Sequence, residues 1–192
     1  MTKSNANTRN RLIDITIGTF VFVVIGINIW SFLLAPEPAV HPLTGTVAPD
    51  FNLPLASSHE DRLSSLRQHR GKVVLLDFWA TFCKPCKKQM PILEELKKEF
   101  PDDHFSIISI NTDDPRTPKR SATVARFLQQ GGYTFPVVLG SGQTLADYKI
   151  RRIPTLVIVD QAGVIANTHT GLTSKGELLD AIQQLLNAPD NS

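Results

Sequence analysis

The chain has 192 residues, 42% of them hydrophobic, and a formal net charge of +2 at pH 7. This length allows one globular domain with a sizeable core plus an appendage. The 20 Lys and Arg residues are spread among 18 Asp and Glu residues, and the densest basic cluster is Lys84, Lys87 and Lys88. The composition therefore gives no indication of nucleic-acid binding, and we find no internal repeat or low-complexity tract.

The N-terminal segment is the most apolar part of the chain. Residues 15–35 form an apolar stretch that is long enough to span a bilayer. Lys3, Arg9 and Arg11 precede it and no Lys or Arg follows until Arg62, so the positive-inside rule predicts a cytoplasmic N-terminus. A cleaved signal peptide is the alternative, but its apolar region would be only about 7–15 residues long. We expect a single-pass anchor in the inner (cytoplasmic) membrane.

These features predict four segments. Residues 1–14 are a cytoplasmic N-terminus, residues 15–35 a transmembrane signal anchor, residues 36–45 a linker, and residues 46–192 the globular domain. The linker contains three prolines among small residues, which suits a semi-extended tether. The globular domain is expected in the periplasm or another extracytoplasmic space, which is an oxidising compartment.

The globular domain alternates between strand and helix patterns. Residues 72–79 are a continuous apolar run, typical of a parallel strand that is covered on both faces. A capping box of Ser174 and Glu177 marks the start of the last helix. The complete prediction is an edge strand at 47–53, a short helix at 63–69, strands at 72–79, 105–110, 155–159 and 164–169, and helices at 83–100, 122–130 and from 174 onwards. Such alternation predicts an α/β sheet sandwiched by helices.

The two cysteines of the chain, Cys83 and Cys86, lie directly after the apolar run 72–79. A strand that delivers a cysteine to the first turn of a helix places its sulfur near unpaired backbone N–H groups and the positive end of the helix dipole, which favours the thiolate. Cys83 then becomes a nucleophile, and Cys86 is close enough to attack a mixed disulfide and release the substrate. The spacing predicts a redox-active dithiol.

Two structural explanations of the cysteine pair compete with this one. A zinc site needs four ligands, and the five histidines of the chain are scattered; we therefore expect no metal. A purely structural disulfide would close a very small loop and would constrain the unfolded chain little. A third alternative is a non-catalytic protein that uses the pair as a soft ligand for copper or haem.

Three motifs in order carry a resemblance to a known family: Asp77-Phe78-Trp79-Ala80 running into Cys83-Lys84-Pro85-Cys86, then Pro91, then Ile153-Pro154-Thr155. Together they resemble the thioredoxin fold and, more closely, the membrane-tethered TlpA/ResA-type reductases. The resemblance implies a central mixed sheet flanked by helices. It also implies an N-terminal edge strand or hairpin, a central insertion at about residues 114–139, and one preceding transmembrane helix.

The resemblance also implies roles for individual residues. Cys83 matches the exposed attacking cysteine and Cys86 the resolving one. Pro154 matches a proline whose preceding peptide bond is cis, which places the backbone of Ile153 beside the dithiol where an extended substrate can pair. The remaining residues expected to contact substrate are Trp79 and Phe82, as an apolar wall around the sulfurs, together with Lys84 and Pro85.

Asp77 lies in the middle of a run that should be buried, where an isolated carboxylate is costly unless its pKa rises or it finds partners. It resembles the buried aspartate of thioredoxin. A carboxylate with a raised pKa could accept the proton of Cys86, so we assign it as the third catalytic residue. The alternative is a strand-end Asp bonded to a backbone N–H.

The chain departs from the family pattern at one informative position. Many TlpA/ResA-type proteins that serve cytochrome c biogenesis carry a glutamate three residues after the second cysteine, whereas this chain has Gln89. The departure argues against that substrate. Peroxidase activity is disfavoured as well, because the peroxiredoxin signature Pro-x-x-x-Thr-x-x-Cys would need Pro at Leu76 and Thr at Ala80.

The expected function is extracytoplasmic thiol–disulfide exchange, with reduction of disulfides in periplasmic substrate proteins as the first choice and no cofactor. The expected partners are proteins that carry disulfides or thiols and a membrane protein that supplies electrons. A DsbA-like thiol oxidase or isomerase partner is the alternative: Lys84 favours the oxidising direction by stabilising a thiolate, whereas Pro85 matches the reducing thioredoxin motif.

Overall fold

The computed structural model describes residues 23–28, 30, 41–56 and 62–188. The chain forms two compact units, Met1–Ala39 and Val40–Ser192. In the first unit residues 23–28 and 30 are helical, and no helix among the described residues is both long and apolar enough to cross a membrane. The predicted cytoplasmic segment, most of the predicted anchor and residues 36–40 of the predicted linker lie outside the described residues.

The second unit contains seven strands and four α-helices within its described part. In chain order they are β1 (Asn52–Pro54), β2 (Leu63–Ser65), a 3₁₀ helix (Leu66–His69), β3 (Val73–Trp79), α1 (Lys84–Lys97), β4 (Phe105–Asn111), α2 (Arg120–Gly131), β5 (Val137–Leu139), α3 (Gly142–Asp147), β6 (Thr155–Val159), β7 (Ile165–Thr170) and α4 (Lys175–Leu186).

The central sheet has the strand order β5-β4-β3-β6-β7. Strand β3 pairs in parallel with β4 and antiparallel with β6, so the sheet is mixed, as the resemblance implies. All seven residues of β3 are buried, because helices and loops cover both faces. The strands predicted at 72–79 and 155–159 are confirmed, and the architecture is the thioredoxin fold.

The two faces of the sheet carry separate cores. Successive side chains of a strand point to opposite faces, so Leu75 and Trp79 pack with helices α1, α2 and α4, whereas Leu76 and Phe78 pack with α3 and the N-terminal loop. Asp77 has the parity of Leu75 and Trp79. Its carboxyl therefore belongs to the face that α1 covers.

The segment 63–69 was predicted as one short helix, and this prediction is wrong. Leu63–Ser65 instead pairs antiparallel with Asn52–Pro54, and only Leu66–His69 is helical, as a 3₁₀ turn. The N-terminal edge strand is also shorter than predicted, since Val47 makes only an isolated bridge to Val164. The two short strands form the N-terminal antiparallel pair that the resemblance implies.

The central insertion adds a helix and an edge strand to the sheet. Helix α2 crosses from β4 to β5, and β5 pairs in parallel with β4. The helix is two residues longer at its N-terminus than predicted and starts at Arg120. Arg120 is only 9% exposed, and its guanidinium donates to the carbonyl oxygens of Asn111 and Gly140, which ties the helix to the ends of β4 and β5.

Helix α4 begins at the predicted cap. The Ser174 hydroxyl accepts a hydrogen bond from the backbone N–H of Glu177 at 3.3 Å. The reciprocal half of the predicted capping box is absent, because the Glu177 carboxylate instead lies 3.0 Å from Nδ1 of His169.

Candidate active site

Cys83 and Cys86 form a disulfide at the start of helix α1, with their sulfurs 2.00 Å apart. Cys83 is the N-cap of the helix, and its Sγ accepts a hydrogen bond from the backbone N–H of Cys86 at 3.2 Å. Cys83 is 7% exposed and Cys86 only 1% exposed. The first sulfur is therefore the more accessible, and it lies at the helix terminus where backbone N–H groups stabilise a negative charge.

The peptide bond between Ile153 and Pro154 is cis, as the resemblance implied. In the antiparallel register Thr155 lies opposite Phe78, so Pro154 reaches the end of β3 from which the chain continues to the cysteines. Ile153 packs against the core cluster that contains both cysteines. The two motifs, about seventy residues apart in the chain, thus meet at one end of the sheet.

Asp77 is 1% exposed. The hydroxyl of Ser109, its register partner on β4, donates to Asp77 Oδ2 at 3.0 Å, and Asp77 Oδ1 has no hydrogen-bond partner within the described chain. Burial is the main reason why the pKa of Asp77 is raised to about 7, and the hydrogen bond from Ser109 opposes that shift. A carboxyl with this pKa exchanges protons near neutral pH.

The two aromatic residues of the predicted apolar wall occupy different positions. Trp79 is fully buried, and its ring centroid lies 5.0 Å from that of Phe127 on α2. It packs in the core cluster that contains both cysteines and is not exposed to a docking substrate, contrary to the prediction. Phe82 is 75% exposed, directly beside Cys83. Lys84 and Pro85, in the first turn of α1, are also exposed.

The loop between β3 and α1 is held by Asp113, which follows β4. The Asp113 carboxylate accepts hydrogen bonds from the backbone N–H of Thr81 at 2.9 Å and from its hydroxyl at 2.8 Å. These bonds fix the backbone immediately before Phe82 and Cys83. The exposure of Phe82 is therefore a property of a fixed loop.

Gln89 joins α1 to the loop between β7 and α4. It is fully buried; its Nε2 donates to the carbonyl of Thr173 at 3.2 Å, and its Oε1 accepts from the backbone N–H of Thr173 at 2.9 Å. Two residues earlier, the N–H of Gly171 donates to the carbonyl of Pro154 at 2.8 Å. Leu172 stands between these anchors and is 51% exposed.

Possible metal ligands do not cluster in the part of the chain that the structure describes. Within the described residues, no group of three or more His, Cys, Asp or Glu side chains could hold a metal ion.

Sequence analysis identified the cysteines, Asp77 and Pro154 but missed the residues that position them. Ser109, Asp113 and Thr173 act through partners 32 or 84 residues away in the chain. One signal was available for Ser109: it interrupts an apolar strand, as Asp77 does, and two such residues meet when their strands are neighbours in register. The contact between Gln89 and Thr173 has no comparable pattern.

Comparisons with known proteins agree with this geometry. The model of the AhpC/TSA family matches residues 44–168. The chain is 34% identical over 162 residues to the thioredoxin-like protein YneN of Bacillus subtilis (strain 168), covering 84% of this chain and 92% of YneN. It is 33% identical over 159 residues to the thiol-disulfide oxidoreductase ResA of Geobacillus kaustophilus (strain HTA426), covering 82% and 86% of the two chains.

Solved structures give the same result. A Chlorobium tepidum protein assigned as the thiol:disulfide interchange protein DsbE superposes with a TM-score of 0.66 at 28% identity, covering 75% of this chain and 98% of its own. The thioredoxin domain of a thiol-disulfide oxidoreductase from Bacteroides vulgatus superposes with a TM-score of 0.63 at 26% identity, covering 75% and 98%. The chain therefore belongs to the AhpC/TSA family, as a thioredoxin-like thiol–disulfide oxidoreductase.

Proposed function

We propose that this protein reduces disulfide bonds in substrate proteins outside the cytoplasm. The Cys83 thiolate attacks one sulfur of the substrate disulfide, which forms a mixed disulfide and releases the other substrate sulfur as a thiolate. The Cys86 thiolate then attacks Cys83 Sγ, closing the protein disulfide and releasing the second substrate sulfur. Two electrons pass from the protein to the substrate, and the two released thiolates take up protons.

The unequal exposure of the two sulfurs carries this proposal. An incoming disulfide can reach Cys83, which is 7% exposed, whereas Cys86 is only 1% exposed and is bonded to Cys83. Because Cys83 lies at the positive end of α1, its thiolate is favoured without a neighbouring histidine. Ile153 packs against the core cluster that contains both cysteines, at the same end of the sheet, where an extended substrate segment would pair.

Asp77 is proposed to accept the proton of Cys86. Its carboxyl lies on the face of the sheet that α1 covers, and a pKa of about 7 allows it to be ionised or protonated at neutral pH. A buried thiol needs such a base, because its own ionisation is disfavoured by burial. Asp77 would act in the second step and leave the first step unchanged.

The match to the AhpC/TSA family does not favour a peroxidase in this chain. The positions that the peroxiredoxin signature would fill with Pro and Thr are Leu76 and Ala80, both fully buried and apolar. Thr81, the residue after Ala80, does not stand in for the signature Thr, because its hydroxyl donates a hydrogen bond to the Asp113 carboxylate.

We place the catalytic domain in the periplasm or an equivalent extracytoplasmic space, attached by an anchor at residues 15–35. The apolar stretch and the basic residues before it support this arrangement. In an oxidising compartment, repeated reduction requires two electrons and two protons per turnover from another protein. We propose a membrane protein that carries reducing equivalents across the bilayer as that donor.

Insulin reduction by dithiothreitol tests the reaction. The purified full chain in non-ionic detergent should accelerate it, and Cys83→Ser should abolish the acceleration. Cys86→Ala should accumulate mixed disulfides with substrate, visible as thiol-sensitive adducts in mass spectrometry. Activity that survives in Cys83→Ser would refute the mechanism.

Redox titration against glutathione tests the direction. A dithiol near the thioredoxin value of about −270 mV supports a reductase, whereas a value near the about −120 mV of DsbA would make the protein an oxidase. About 30 mV corresponds to a tenfold change in the equilibrium constant of this two-electron couple, so the measurement separates the two directions clearly.

A further inference from the structure

The surface around the disulfide has an unusual charge composition. Three segments meet there: the start of α1 with the loop before it, the turn that precedes Pro154, and the loop that contains Leu172. Neither 78–93, 148–159 nor 170–176 contains a single Asp or Glu. The same segments contain six exposed basic residues, Lys84, Lys87, Lys88, Lys149, Arg151 and Arg152, which we call the basic rim.

The members of the basic rim are not neutralised by carboxylates of the described chain. None of them is in an ion pair there; the pairs that form are Arg67–Asp50, His104–Asp103, Arg116–Asp114, His169–Glu177, and Lys175 with Glu95 and Glu99. Asp113, the carboxylate that contacts the site loop, is 7% exposed and accepts two hydrogen bonds from Thr81. The rim therefore presents uncompensated positive charge to solvent.

Helix stability does not account for this pattern. Cations are unfavourable near the positive N-terminal end of a helix, yet Lys84 and Lys87 occupy the first residues of α1. The Nζ of Lys87 lies 5.8 Å from the centroid of the Phe127 ring, whereas Lys84 and Lys88 do not contact an aromatic ring of the described residues in this way. Residues that oppose the local preference without a compensating contact are characteristic of functional surfaces.

Two exposed apolar side chains accompany the basic rim. Phe82 is 75% exposed and Leu172 is 51% exposed, and the loops that carry them are held by the bonds of Thr81 with Asp113 and of Thr173 with Gln89. Exposed apolar groups held in place beside a reactive sulfur suit a partner that buries them. Charge complementarity requires acidic residues around that apolar contact.

We propose that the basic rim selects protein substrates whose reactive cysteines lie in an extended segment flanked by Asp or Glu. This inference rests on the proposed function, since it names the substrate class of the same site. An anionic lipid surface carries negative charge, as an acidic protein segment does. A membrane lying on the rim would, however, cover Cys83, the sulfur that must meet the substrate. A protein segment is the occupant that brings both the acidic groups and the disulfide.

Single-turnover reduction of three oxidised Cys-x-x-Cys peptides tests the inference. The peptides differ only in their flanking residues, which are Glu, Gln or Lys, and each is mixed with the fully reduced full chain in non-ionic detergent. At low ionic strength we expect the Glu peptide to react about tenfold faster than the Lys peptide, because electrostatic complementarity acts mainly on the association rate. High salt should remove the difference, since the screening length falls from about 10 Å at 0.1 M to about 3 Å at 1 M.

Charge-reversal variants locate the effect. Arg151→Glu and Arg152→Glu should each reduce the ratio of the Glu-peptide rate to the Lys-peptide rate about threefold. The matched control is Lys98→Glu, which makes the same change in charge at the exposed far end of α1 and should leave the ratio unchanged. Lys84 is not used, because its charge also acts on the Cys83 thiolate.

The Gln peptide distinguishes a failure of the charge preference from a failure of the proposed disulfide reduction. If the reduced chain reduces the Gln peptide but shows equal, salt-independent rates for the Glu and Lys peptides, the inference is overturned and the proposed function stands. If the Gln peptide is not reduced, both fail. An equal loss of the rate ratio in Lys98→Glu would also overturn the inference, because the preference would then follow net charge.

Reconstitution in vesicles decides between protein and lipid. We expect the same rate ratio in vesicles of phosphatidylcholine with or without phosphatidylglycerol. If phosphatidylglycerol suppresses the reduction of all three peptides and Arg151→Glu relieves that suppression, the rim binds lipid headgroups and the protein-substrate assignment is wrong.

Discussion

The two ends of helix α1 contrast sharply. At the C-terminal end, Glu94 accepts hydrogen bonds from the backbone and hydroxyl of Thr134 at 2.8 and 2.7 Å, and Lys175 of α4 lies 3.7 Å from Glu95 and 2.6 Å from Glu99. At the N-terminal end, the basic side chains form no ion pair with a carboxylate of the described residues, and an exposed phenylalanine adjoins the disulfide.

This contrast separates stability from chemistry along one helix. The C-terminal half of α1 fastens the helix to α4 and to the loop before β5, and its buried leucines belong to the core. The N-terminal half carries lysines near the positive end of the helix dipole, where cations are unfavourable, and the apolar side chain of Phe82 beside it is exposed. Substitutions in the C-terminal half should therefore change the free energy of unfolding, and substitutions near the cysteines, in the N-terminal half, should change the rate of thiol–disulfide exchange.

The largest effect is expected at Leu93, which is fully buried in the C-terminal half of α1. Leu93→Ala should lower the free energy of unfolding by about 3 kcal/mol, because a cavity adds to the lost transfer energy. Denaturant titration of the full chain measures this change. The single-turnover rate with a peptide disulfide should stay at the wild-type value while the variant is folded; a parallel loss of rate would remove the distinction between the two halves.

The next effect concerns Asp77, beneath the N-terminal half. Asp77→Asn keeps the shape and the acceptor for Ser109 but cannot take a proton, so we expect the resolving step to slow about 100-fold at pH 7. Rapid quenching and mass spectrometry should show the mixed disulfide at Cys83 persisting, with its formation rate unchanged. An unchanged resolving rate would exclude Asp77 as the base.

Asp77 also predicts the sign of a pH effect on stability. Its pKa is raised by burial to about 7, from an ordinary value near 4. Between pH 4 and pH 7 the folded chain therefore holds a proton on Asp77 that the unfolded chain has lost. Stability from this group is fully present at acid pH and is lost as pH rises towards 7, by up to about 1.4 kcal/mol per pH unit. Asp77→Asn, compared with wild type across pH, should lack this loss.

Gln89 gives the fourth prediction, at the position where the chain departs from the family pattern. Gln89→Glu at neutral pH would place a carboxylate oxygen against the Thr173 carbonyl in a buried site, where the amide now donates. We expect a loss of about 2 kcal/mol in the free energy of unfolding at pH 7 and a smaller loss at pH 4, where the carboxyl can carry a proton and donate. Gln184→Glu on the exposed face of α4 is the control and should change little.

The smallest predicted effect is a difference in stability between charge reversals at the two ends of α1. In the oxidised chain, Lys84→Glu should stabilise the fold and Lys98→Glu should destabilise it, each by about 0.5 kcal/mol, because the helix dipole favours anions at the N-terminus and cations at the C-terminus. Thermal unfolding at low salt resolves such differences. Equal signs for the two variants would contradict the view that the N-terminal lysines act against stability.

The central part of the fold could be predicted from the sequence because its signals are local. Strands 72–79 and 155–159 are continuous apolar runs, and the cysteine pair at a strand-to-helix junction indicates its own chemistry. The prediction of a helix at 63–69 was wrong because the partner of Leu63–Ser65 is another three-residue strand. A pairing so short leaves no periodicity, and tertiary contacts decide the conformation.

Two further elements, β5 and α3, were not predicted, since three and six residues are too few to establish a period. The site shows the same division. The reactive groups could be identified from their residue types, whereas Asp113, Ser109 and Thr173 become part of the site only through folding. The exposed position of Leu172 could not be predicted from the sequence, because a single leucine in a loop forms no periodic pattern. Only the structure shows that hydrogen bonds of its neighbours Gly171 and Thr173 hold this loop in place.

The enclosure of Cys86 has a kinetic consequence. An oxidised molecule can be reduced again only through the sulfur of Cys83, since Cys86 is only 1% exposed. Electron donor and electron acceptor must therefore use a single entrance, one after the other. Steady-state rates measured with both at varied concentrations should follow a ping-pong pattern, and each partner should act as a competitive inhibitor of the other at high concentration.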